Sequence, residues 1–234
     1  MIAALMTTAV VGGAAGLGYG SMAPKSQWFG RTFTGKPDAA RQIALTFDDG
    51  PNDPHTLDLL EVLAQHGAKA TFFMIGRYVR LWPKIAEAVA RAGHAIGNHT
   101  YSHPNLIFCP RARIRLELEE CARALTDVVG EHSRLFRPPF GGRRPAVLQV
   151  ARELGLQTVM WSAAGFDWKA KPAAGIEAQV ARRARGGDVV LLHDGGHLAP
   201  HAGRAQTVIA ARRLIQHYRE RGFALVTVPE MMAS

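Results

Sequence analysis

The fold class is decided by the segment Gln42–Pro51, whose sequence is QIALTFDDGP. Its first half, Gln42–Phe47, is apolar and β-rich, as is typical of a strand buried on both faces. Its second half places Asp48 and Asp49 directly before a Gly-Pro turn signal. The predicted folded domain therefore begins with a strand that ends in two adjacent carboxylates and a turn.

The pattern set by this strand repeats along the chain. Six further β-rich runs are predicted at residues 69–75, 94–97, 134–136, 156–161, 188–192 and 223–228. Segments with helical periodicity lie between them, at residues 53–65, 83–93, 111–129, 145–155, 176–185 and 204–221. Seven strands that alternate with six helices predict parallel pairing and an α/β fold, as either an open doubly wound sheet or a barrel.

The ends of the predicted helices follow from Pro, Gly and a capping residue. Asp53 and Pro54 are predicted to be the N-cap and first residue of the first helix. Pro145 is predicted to open the fourth helix, and Gly155 to follow its C-terminus. Gly130 is predicted to terminate the long third helix in the same way.

The N-terminus differs from the rest of the chain. Residues 1–23 form a hydrophobic segment without charge, which predicts a signal peptide or membrane anchor and hence an exported, periplasmic or envelope location. No Lys or Arg precedes this segment, whereas Lys25, Arg31 and Lys36 follow it, and that charge bias instead favours the cytoplasmic face of the membrane. Translation from Met22 would give a cytoplasmic protein. Residues 24–40 are predicted to be a linker, and one folded domain is predicted for residues 41–234.

Composition limits the classes of function. The chain has 234 residues, 28 Lys and Arg against 19 Asp and Glu, and a net charge of +9, which fits either an anionic partner or a generally basic surface. Two cysteines, Cys109 and Cys121, are too few for a disulfide scaffold; they could form one disulfide if the domain is exported, but we expect two buried free thiols. The sequence contains no helix-turn-helix, RNA-binding strand motif or zinc finger, so we predict no nucleic-acid binding. It does not indicate an oligomeric state.

Ionisable residues follow the predicted strands. Asp48 and Asp49 follow the first strand, and His99 and His103 follow the third. The fourth, fifth and sixth strands are followed in turn by Arg137, Asp167 and His193. Because the carboxyl ends of parallel strands meet at one edge of the sheet, these side chains are predicted to assemble a site there.

The two histidines have the spacing of a metal site. His99 and His103 lie four residues apart, which on a helical turn directs both rings the same way. A carboxylate would complete a three-ligand site for a divalent cation. Because Asp48 and Asp49 are adjacent, one can bind the cation while the other stays free. Helix capping, a surface location or an ordinary loop is the alternative interpretation of each motif alone.

Five segments together resemble a known family. Thr46–Pro51, His99–His103, Arg137–Gly141, Asp167-Trp168 and Leu191–His193 are similar, in this order, to the five motifs of the polysaccharide deacetylases. This is the NodB-homology domain of carbohydrate esterase family 4. The resemblance covers about residues 41–228 and makes residues 41–234 the expected catalytic domain. It implies a distorted, incompletely closed (β/α) barrel of about seven parallel strands.

The resemblance implies a metal centre and a base. Asp49, His99 and His103 match the metal-binding triad of the family, which usually holds one Zn²⁺ but accepts other divalent ions. Asp48 matches the general base that activates the attacking water. Arg137 matches the residue that pairs with this base and orients it.

The resemblance also implies the groups on the other side of the substrate. His193 matches the general acid, and Asp167 matches the carboxylate that holds it. The backbone N–H of Phe140 matches an oxyanion-hole donor. Trp168 and Leu191 match the apolar walls around the acetyl methyl group. One departure is Ala164, where the family commonly has a further Asp.

The expected function follows from these roles. The resemblance implies metal-dependent hydrolysis of N-acetyl groups on a glycan of the chitin-oligosaccharide, peptidoglycan or exopolysaccharide type. Two alternatives stay open on the sequence: an esterase for O-acetyl groups of xylan or a similar substrate, and a metal-containing carbohydrate-binding protein without turnover.

Overall fold

The computed structural model of the protein describes residue 16, residues 18–130 and residues 133–234. Within these residues the strands are β1 Gln42–Gly50, β2 Thr71–Met74, β3 Ala95–Asn98, β4 Leu135–Phe136, β5 Gln157–Thr158, β6 Ala163–Ala164, β7 Val189–His193 and β8 Ala224–Leu225. The α-helices are α1 His55–Gln65, α2 Gly76–Leu81, α3 Pro83–Arg91, α4 Arg111–Val129, α5 Pro145–Glu153, α6 Ala173–Arg183, α7 Ala205–Glu220 and α8 Val228–Ala233. Short 3₁₀ helices lie at Leu106–Phe108, Pro139–Gly141 and Asp167–Lys169.

The strands form one parallel sheet that curls without closing. Their order is β5-β4-β3-β2-β1-β7-β6, and β8 pairs with the start of β1. Every strand pair along this path is parallel. Because β5 and β6 stand at opposite ends of this path, the structure is an incompletely closed barrel, which confirms the expected fold.

The core lies between the curled sheet and the helices around it. Phe47 of β1 stacks on Phe72 of β2, with ring centroids 5.2 Å apart, and both side chains are fully buried. The main core cluster joins these strands to apolar faces of α1, α4, α6 and α7. This packing holds the carboxyl ends of the central strands in fixed relative positions, and the candidate site lies at those ends.

Several element ends agree with the sequence and others differ. Gly130 terminates α4 with a left-handed φ of 76°, and Pro145 opens α5. In contrast, α1 begins at His55 after Pro54, and no side chain caps it, so the prediction of Asp53 as the N-cap is wrong. The short elements β6, α2 and α8 were not predicted.

The described part of the N-terminal region packs on the barrel. Residues 24–40, predicted to be a linker, contact it through a parallel bridge from Phe33 to Val159 and an antiparallel bridge from Gly35 to Asp188. The buried Arg143 donates hydrogen bonds to the carbonyl oxygens of Ala23 (2.5 Å) and Ser26 (2.9 Å). Of the hydrophobic segment predicted for residues 1–23, residues 1–15 and 17 lie outside the described residues. Within the described residues, no helix has the length and hydropathy needed to span a bilayer.

Candidate active site

A β-bulge at the end of β1 places both aspartates at the site. Successive side chains of a regular strand point to opposite faces, so adjacent aspartates would diverge. Here Asp48 pairs with Phe73 and Gly50 pairs with Met74, which leaves Asp49 as an extra residue with a left-handed φ of 73°. A bulge redirects a side chain in this way. As a result, Asp48 and Asp49 line the same cleft.

The two histidines converge through a loop rather than a helix. His99 directly follows β3, and residues 99–105 contain no helical turn, so the predicted helical turn is wrong. Thr100 and His103 instead adopt left-handed φ angles of 65° and 62°. The Thr100 hydroxyl accepts a hydrogen bond from the His103 N–H (3.0 Å), and Asn98 Oδ1 accepts one from the Thr100 N–H (2.9 Å). Strained backbone of this kind persists where surrounding contacts fix it, often at functional sites.

A buried glutamate of α4 fixes the same loop. Glu117 accepts hydrogen bonds from the Ser102 N–H (2.8 Å) and the Ser102 hydroxyl (2.6 Å). Its side chain is buried, and Arg113 pairs with it from one turn earlier in the helix. Glu117 therefore supports the loop between the two histidines, a role that the sequence patterns did not indicate.

Asp49, His99 and His103 form a compact buried cluster. Asp49 Oδ1 lies 3.1 Å from His103 Nε2 and 3.4 Å from His99 Nε2. One ligand atom from each residue lies within 4.8 Å of the other two. His99 Nδ1 is 2.7 Å from the Arg137 carbonyl oxygen, which only accepts, so Nδ1 carries the proton and Nε2 directs its lone pair into the cluster.

The electrostatics of this cluster fit a divalent cation. Asp49 Oδ1 is buried, and no group in the described part of the chain donates a hydrogen bond of ordinary geometry to it, although both imidazoles lie close. Burial tends to raise the pKa of Asp49, but contacts with the surrounding histidines outweigh it and hold this pKa well below its usual value. Burial also lowers the pKa of His103, which favours the neutral, metal-binding imidazole. One carboxylate and two imidazoles are a ligand set typical of Zn²⁺ sites that keep open positions.

Asp48 is held apart from the cluster by a buried arginine. Arg137 Nη1 donates to Asp48 Oδ1 (2.7 Å) and to the Thr46 hydroxyl (2.7 Å). Burial lowers the pKa of Arg137, and the facing Asp48 carboxylate opposes this change. The other oxygen, Asp48 Oδ2, lies 3.8 Å from His99 Nε2. Asp48 is thus positioned beside the cluster with one oxygen turned towards it.

His193 and Asp167 form a second charged pair. Asp167 accepts hydrogen bonds from His193 Nδ1 (2.9 Å), the His193 backbone N–H (2.8 Å) and the Thr207 hydroxyl (2.9 Å). Burial opposes a charge on His193, but the Asp167 carboxylate, with smaller contributions from Asp49 and Asp48, raises the pKa of His193 to about 9. The imidazole is therefore protonated at neutral pH and can donate a proton.

A cleft of about 540 Å³ joins these groups. Eight of the ten predicted site residues line it: Asp48, Asp49, His99, His103, Phe140, Trp168, Leu191 and His193. The remaining two, Arg137 and Asp167, stand directly behind Asp48 and His193. Trp168 meets His193 edge to face, and the Phe140 and Trp168 side chains are 42–45% exposed at the cleft surface.

Further side chains contribute to the cleft wall. Trp161, His197, Leu198 and Arg204 also line the cleft, and the last three belong to the loop after β7. His197 and His201 repeat the four-residue spacing, but His201 is exposed and hydrogen-bonds the Asp53 carbonyl oxygen (2.9 Å). Among the described residues, Asp49, His99 and His103 are the one group of three or more His, Cys, Asp or Glu residues that could share an ion.

The two cysteines lie away from the cleft lining. Cys109 is partly buried and Cys121 is buried, and both are free thiols, as predicted. Burial raises the pKa of Cys121 to about 12. An inert packing role fits these thiols.

Comparisons with known proteins agree with this geometry. The family described as "Polysaccharide deacetylase" matches residues 35–159. The chain is 37% identical to a chitooligosaccharide deacetylase of Azorhizobium caulinodans over 194 residues, covering 80% of this chain and 92% of the relative. It is also 37% identical to a peptidoglycan-N-acetylglucosamine deacetylase of Bacillus cereus over 198 residues, covering 84% and 90%.

Solved structures extend this similarity to the fold. The Bc1960 peptidoglycan N-acetylglucosamine deacetylase, in complex with 4-naphthalen-1-yl-N-oxidanyl-benzamide, superimposes with a TM-score of 0.80 at 34% identity, covering 86% of this chain and 91% of that one. A family 4 carbohydrate esterase from Streptomyces lividans, in complex with acetate, gives a TM-score of 0.71 at 32% identity, covering 78% and 90%. With the metal-ligand cluster and the parallel half-barrel in place, the chain belongs to the polysaccharide deacetylase family and is a hydrolase.

Proposed function

We propose that this protein removes N-acetyl groups from N-acetylated sugar residues of a glycan. One observation carries the proposal: a buried Asp-His-His cluster shares a cleft with an arginine-bound carboxylate and a histidine paired with a buried aspartate. Hydrolysis of an unreactive amide needs these three functions together, because the carbonyl, the attacking water and the departing nitrogen all require activation.

Asp49, His99 and His103 are the proposed ligands of one divalent cation, most simply Zn²⁺. When bound, such a cation acts as a Lewis acid and lowers the pKa of water from 15.7 towards about 7. Asp48 is the proposed base and accepts a proton from the water that attacks the amide carbonyl. Its ion pair with Arg137 fixes the orientation of its carboxylate. The backbone N–H of Phe140 is the proposed donor to the oxyanion that forms.

His193 is the proposed acid on the other side of the substrate. It gives its proton to the amide nitrogen as the C–N bond breaks, so acetate and a free amine leave the site. Asp167 holds the imidazole through Nδ1, which leaves Nε2 available to the cleft. Trp168 and Leu191 line the cleft and are the proposed apolar walls around the acetyl methyl group.

The charged acid favours an amide over an ester substrate. An amine is a poor leaving group until its nitrogen is protonated, whereas the alkoxide of an acetyl ester leaves more readily. The Asp167–His193 pair therefore fits N-deacetylation better than removal of O-acetyl groups from xylan. An intact base and acid also argue against a role limited to carbohydrate binding. Chitooligosaccharides and peptidoglycan, the substrates in the names of the relatives, are the first candidates.

The proposal is tested by measuring acetate release. The full chain, stripped with a chelator and reloaded with Zn²⁺, is incubated with N-acetylglucosamine oligomers, peptidoglycan and acetylated xylan. We expect acetate from an N-acetylated glycan only after reloading. Zinc-dependent release from xylan alone would favour the esterase, and release no faster than in the stripped control would favour the binding protein.

Loss of the Asp167 charge should change the titration of His193. In Asp167→Asn the carboxylate that contributes most to the raised pKa is gone while burial remains, so the pKa of His193 should fall from about 9 towards the ordinary value of about 6.5. In the wild-type protein, the charged imidazole stabilises the fold fully at pH values below the pKa of His193 in the unfolded chain. This contribution is lost as the pH rises through the folded-state pKa of about 9. NMR titration of the metal-free protein measures the change. Thr207→Val, which removes only a hydroxyl that is hydrogen-bonded to Asp167, is the matched control. Equal pKa values of His193 in the wild type, Asp167→Asn and Thr207→Val would contradict the pairing of Asp167 with His193.

Export or membrane anchoring is proposed from the sequence of residues 1–23. The segment is uncharged from Ile2 to Ala23, and its apolar length suits a signal peptide or membrane anchor. Fractionation of cells that express the full chain, or a chain starting at Met22, checks this proposal. We expect only the full chain in the membrane or envelope fraction, and a cytosolic full chain would contradict it.

A further inference from the structure

The loop after β7 is fixed by two side chains of α2 and by the side chain of its own last residue, Arg204. Within residues 194–204, here called the His197 loop, three consecutive carbonyl oxygens accept side-chain hydrogen bonds. Arg204 Nε binds the Gly195 oxygen (2.6 Å), the Tyr78 hydroxyl binds the Gly196 oxygen (3.1 Å), and Arg77 Nη2 binds the His197 oxygen (2.5 Å). Such an arrangement holds the backbone of His197 in one place.

Gly195 brings this loop against the backbone of a proposed metal ligand, and Gly196 packs closely within the loop itself. A Cβ atom on Gly195 would lie 2.1 Å from the Asp49 carbonyl oxygen, and a Cβ on Gly196 would lie 2.6 Å from Ala202 Cβ. Neither position therefore accepts a side chain without rearrangement. His197 is the first residue after them that carries one, and its side chain lines the cleft.

The imidazole of His197 contacts two members of the metal cluster. Its Nδ1 lies 3.6 Å from Asp49 Oδ2, about 0.4 Å beyond the longest ordinary N–H···O hydrogen bond of about 3.2 Å. Its ring stacks on His103 with centroids 4.5 Å apart and planes 21° apart, and Phe140 packs edge-on at 5.0 Å. The two Asp49 oxygens thus have different neighbours: Oδ1 faces His99 and His103, whereas Oδ2 faces His197.

We propose that His197 is a positioning residue for Asp49. An N–H at Nδ1 attracts Oδ2 and reserves Oδ1 for the cation, so Asp49 binds through a single oxygen. Partners of this kind, one step removed from the ion, orient metal-binding carboxylates and increase metal affinity. The inference rests on the proposed function in one respect, namely that the Asp-His-His cluster holds a cation.

Two substitutions separate the N–H donor from the ring. His197→Phe keeps an aromatic ring against His103 and Phe140 but has no donor, whereas His197→Asn loses the ring but places an amide N–H near the former Nδ1. The apparent Kd for Zn²⁺ is measured at pH 7 by competition with a chromophoric chelator on full-length, metal-free protein. We expect His197→Phe to bind Zn²⁺ about 10–100-fold more weakly. We expect His197→Asn to stay within about 3-fold of wild type, because an N–H group that faces the Asp49 carboxylate is retained.

His201→Ala is the matched control, because His201 lies on the same loop but is exposed, and it contacts the Asp53 carbonyl oxygen and the Trp82 ring rather than the cluster. Circular dichroism checks that each variant is folded, and His197→Ala replaces His197→Phe if the larger ring prevents folding. Wild-type affinity in the donor-free variant, or equal weakening in the Phe and Asn variants, would overturn the proposal. Zinc binding is measured without substrate, so a lack of acetate release would count against the proposed function and not against this inference.

Discussion

Replacing His99 with alanine is expected to abolish zinc binding and acetate release together. His99 Nε2 is one of three proposed ligand atoms, and its Nδ1–H binds the Arg137 carbonyl oxygen, so the substitution removes a ligand and frees a buried acceptor. Loss of a hydrogen-bonding partner of a metal ligand costs about 10–100-fold in metal affinity. We therefore expect loss of a ligand itself to weaken Zn²⁺ binding by more than about 10²-fold. Activity should fall by at least ~10³-fold, because the contribution of a catalytic cation is several kcal/mol.

Both effects are measured on the same preparations of His99→Ala. The chelator competition gives the Kd for Zn²⁺. Acetate release is followed at the Zn²⁺ concentration that saturates the wild-type protein, and again at the highest soluble Zn²⁺ concentration. The exposed His201→Ala should match wild type in both assays. Acetate release by His99→Ala at the wild-type rate, insensitive to chelator, would show that the cluster is not the metal centre.

The sequence was sufficient for the parallel half-barrel because its main strands are long enough to produce a pattern. β1 and β7 each contain a buried, predominantly apolar run, and the helices between strands begin or end at Pro and Gly residues such as Pro145 and Gly130. β6 contains only Ala163 and Ala164, and α2 contains six residues, so neither is long enough to show periodicity. Their positions depend on pairing with β7 and packing against α4, which are properties of the folded chain.

The candidate site, like the fold, could be predicted only in part from the sequence. Residue types at strand ends indicated where Asp48, Asp49 and His99 would meet, but not how they converge. The bulge that directs Asp49 into the cleft depends on the register of β1 with β2. The loop between His99 and His103 depends on a hydrogen bond to Glu117 of α4. His197 gave only a weak signal, because it reaches the cluster through loop contacts made by residues far away in the sequence.

Arg137 links the proposed base to the proposed metal centre. Its guanidinium holds Asp48 and Thr46, while its carbonyl oxygen accepts the Nδ1–H of His99. The same guanidinium lies 4.1 Å above the Phe73 ring and donates to the Met160 carbonyl oxygen (3.0 Å). A single buried side chain with all these contacts has little freedom to move, and so it fixes the relative positions of base and ligand.

Replacing Asp48 with asparagine should separate metal binding from catalysis. Asparagine keeps the shape and one oxygen that accepts from Arg137 Nη1, but its amide cannot take a proton from water. We therefore expect a Zn²⁺ Kd within about 3-fold of wild type, because the proposed ligands stay in place, and a kcat lower by at least ~10²-fold, as is typical for loss of a general base. Asp58→Asn, an exposed carboxylate on α1, is the matched control for the change of charge. A wild-type kcat in Asp48→Asn would contradict the role of Asp48 as base, and loss of zinc binding with an intact fold would instead identify Asp48 as a ligand.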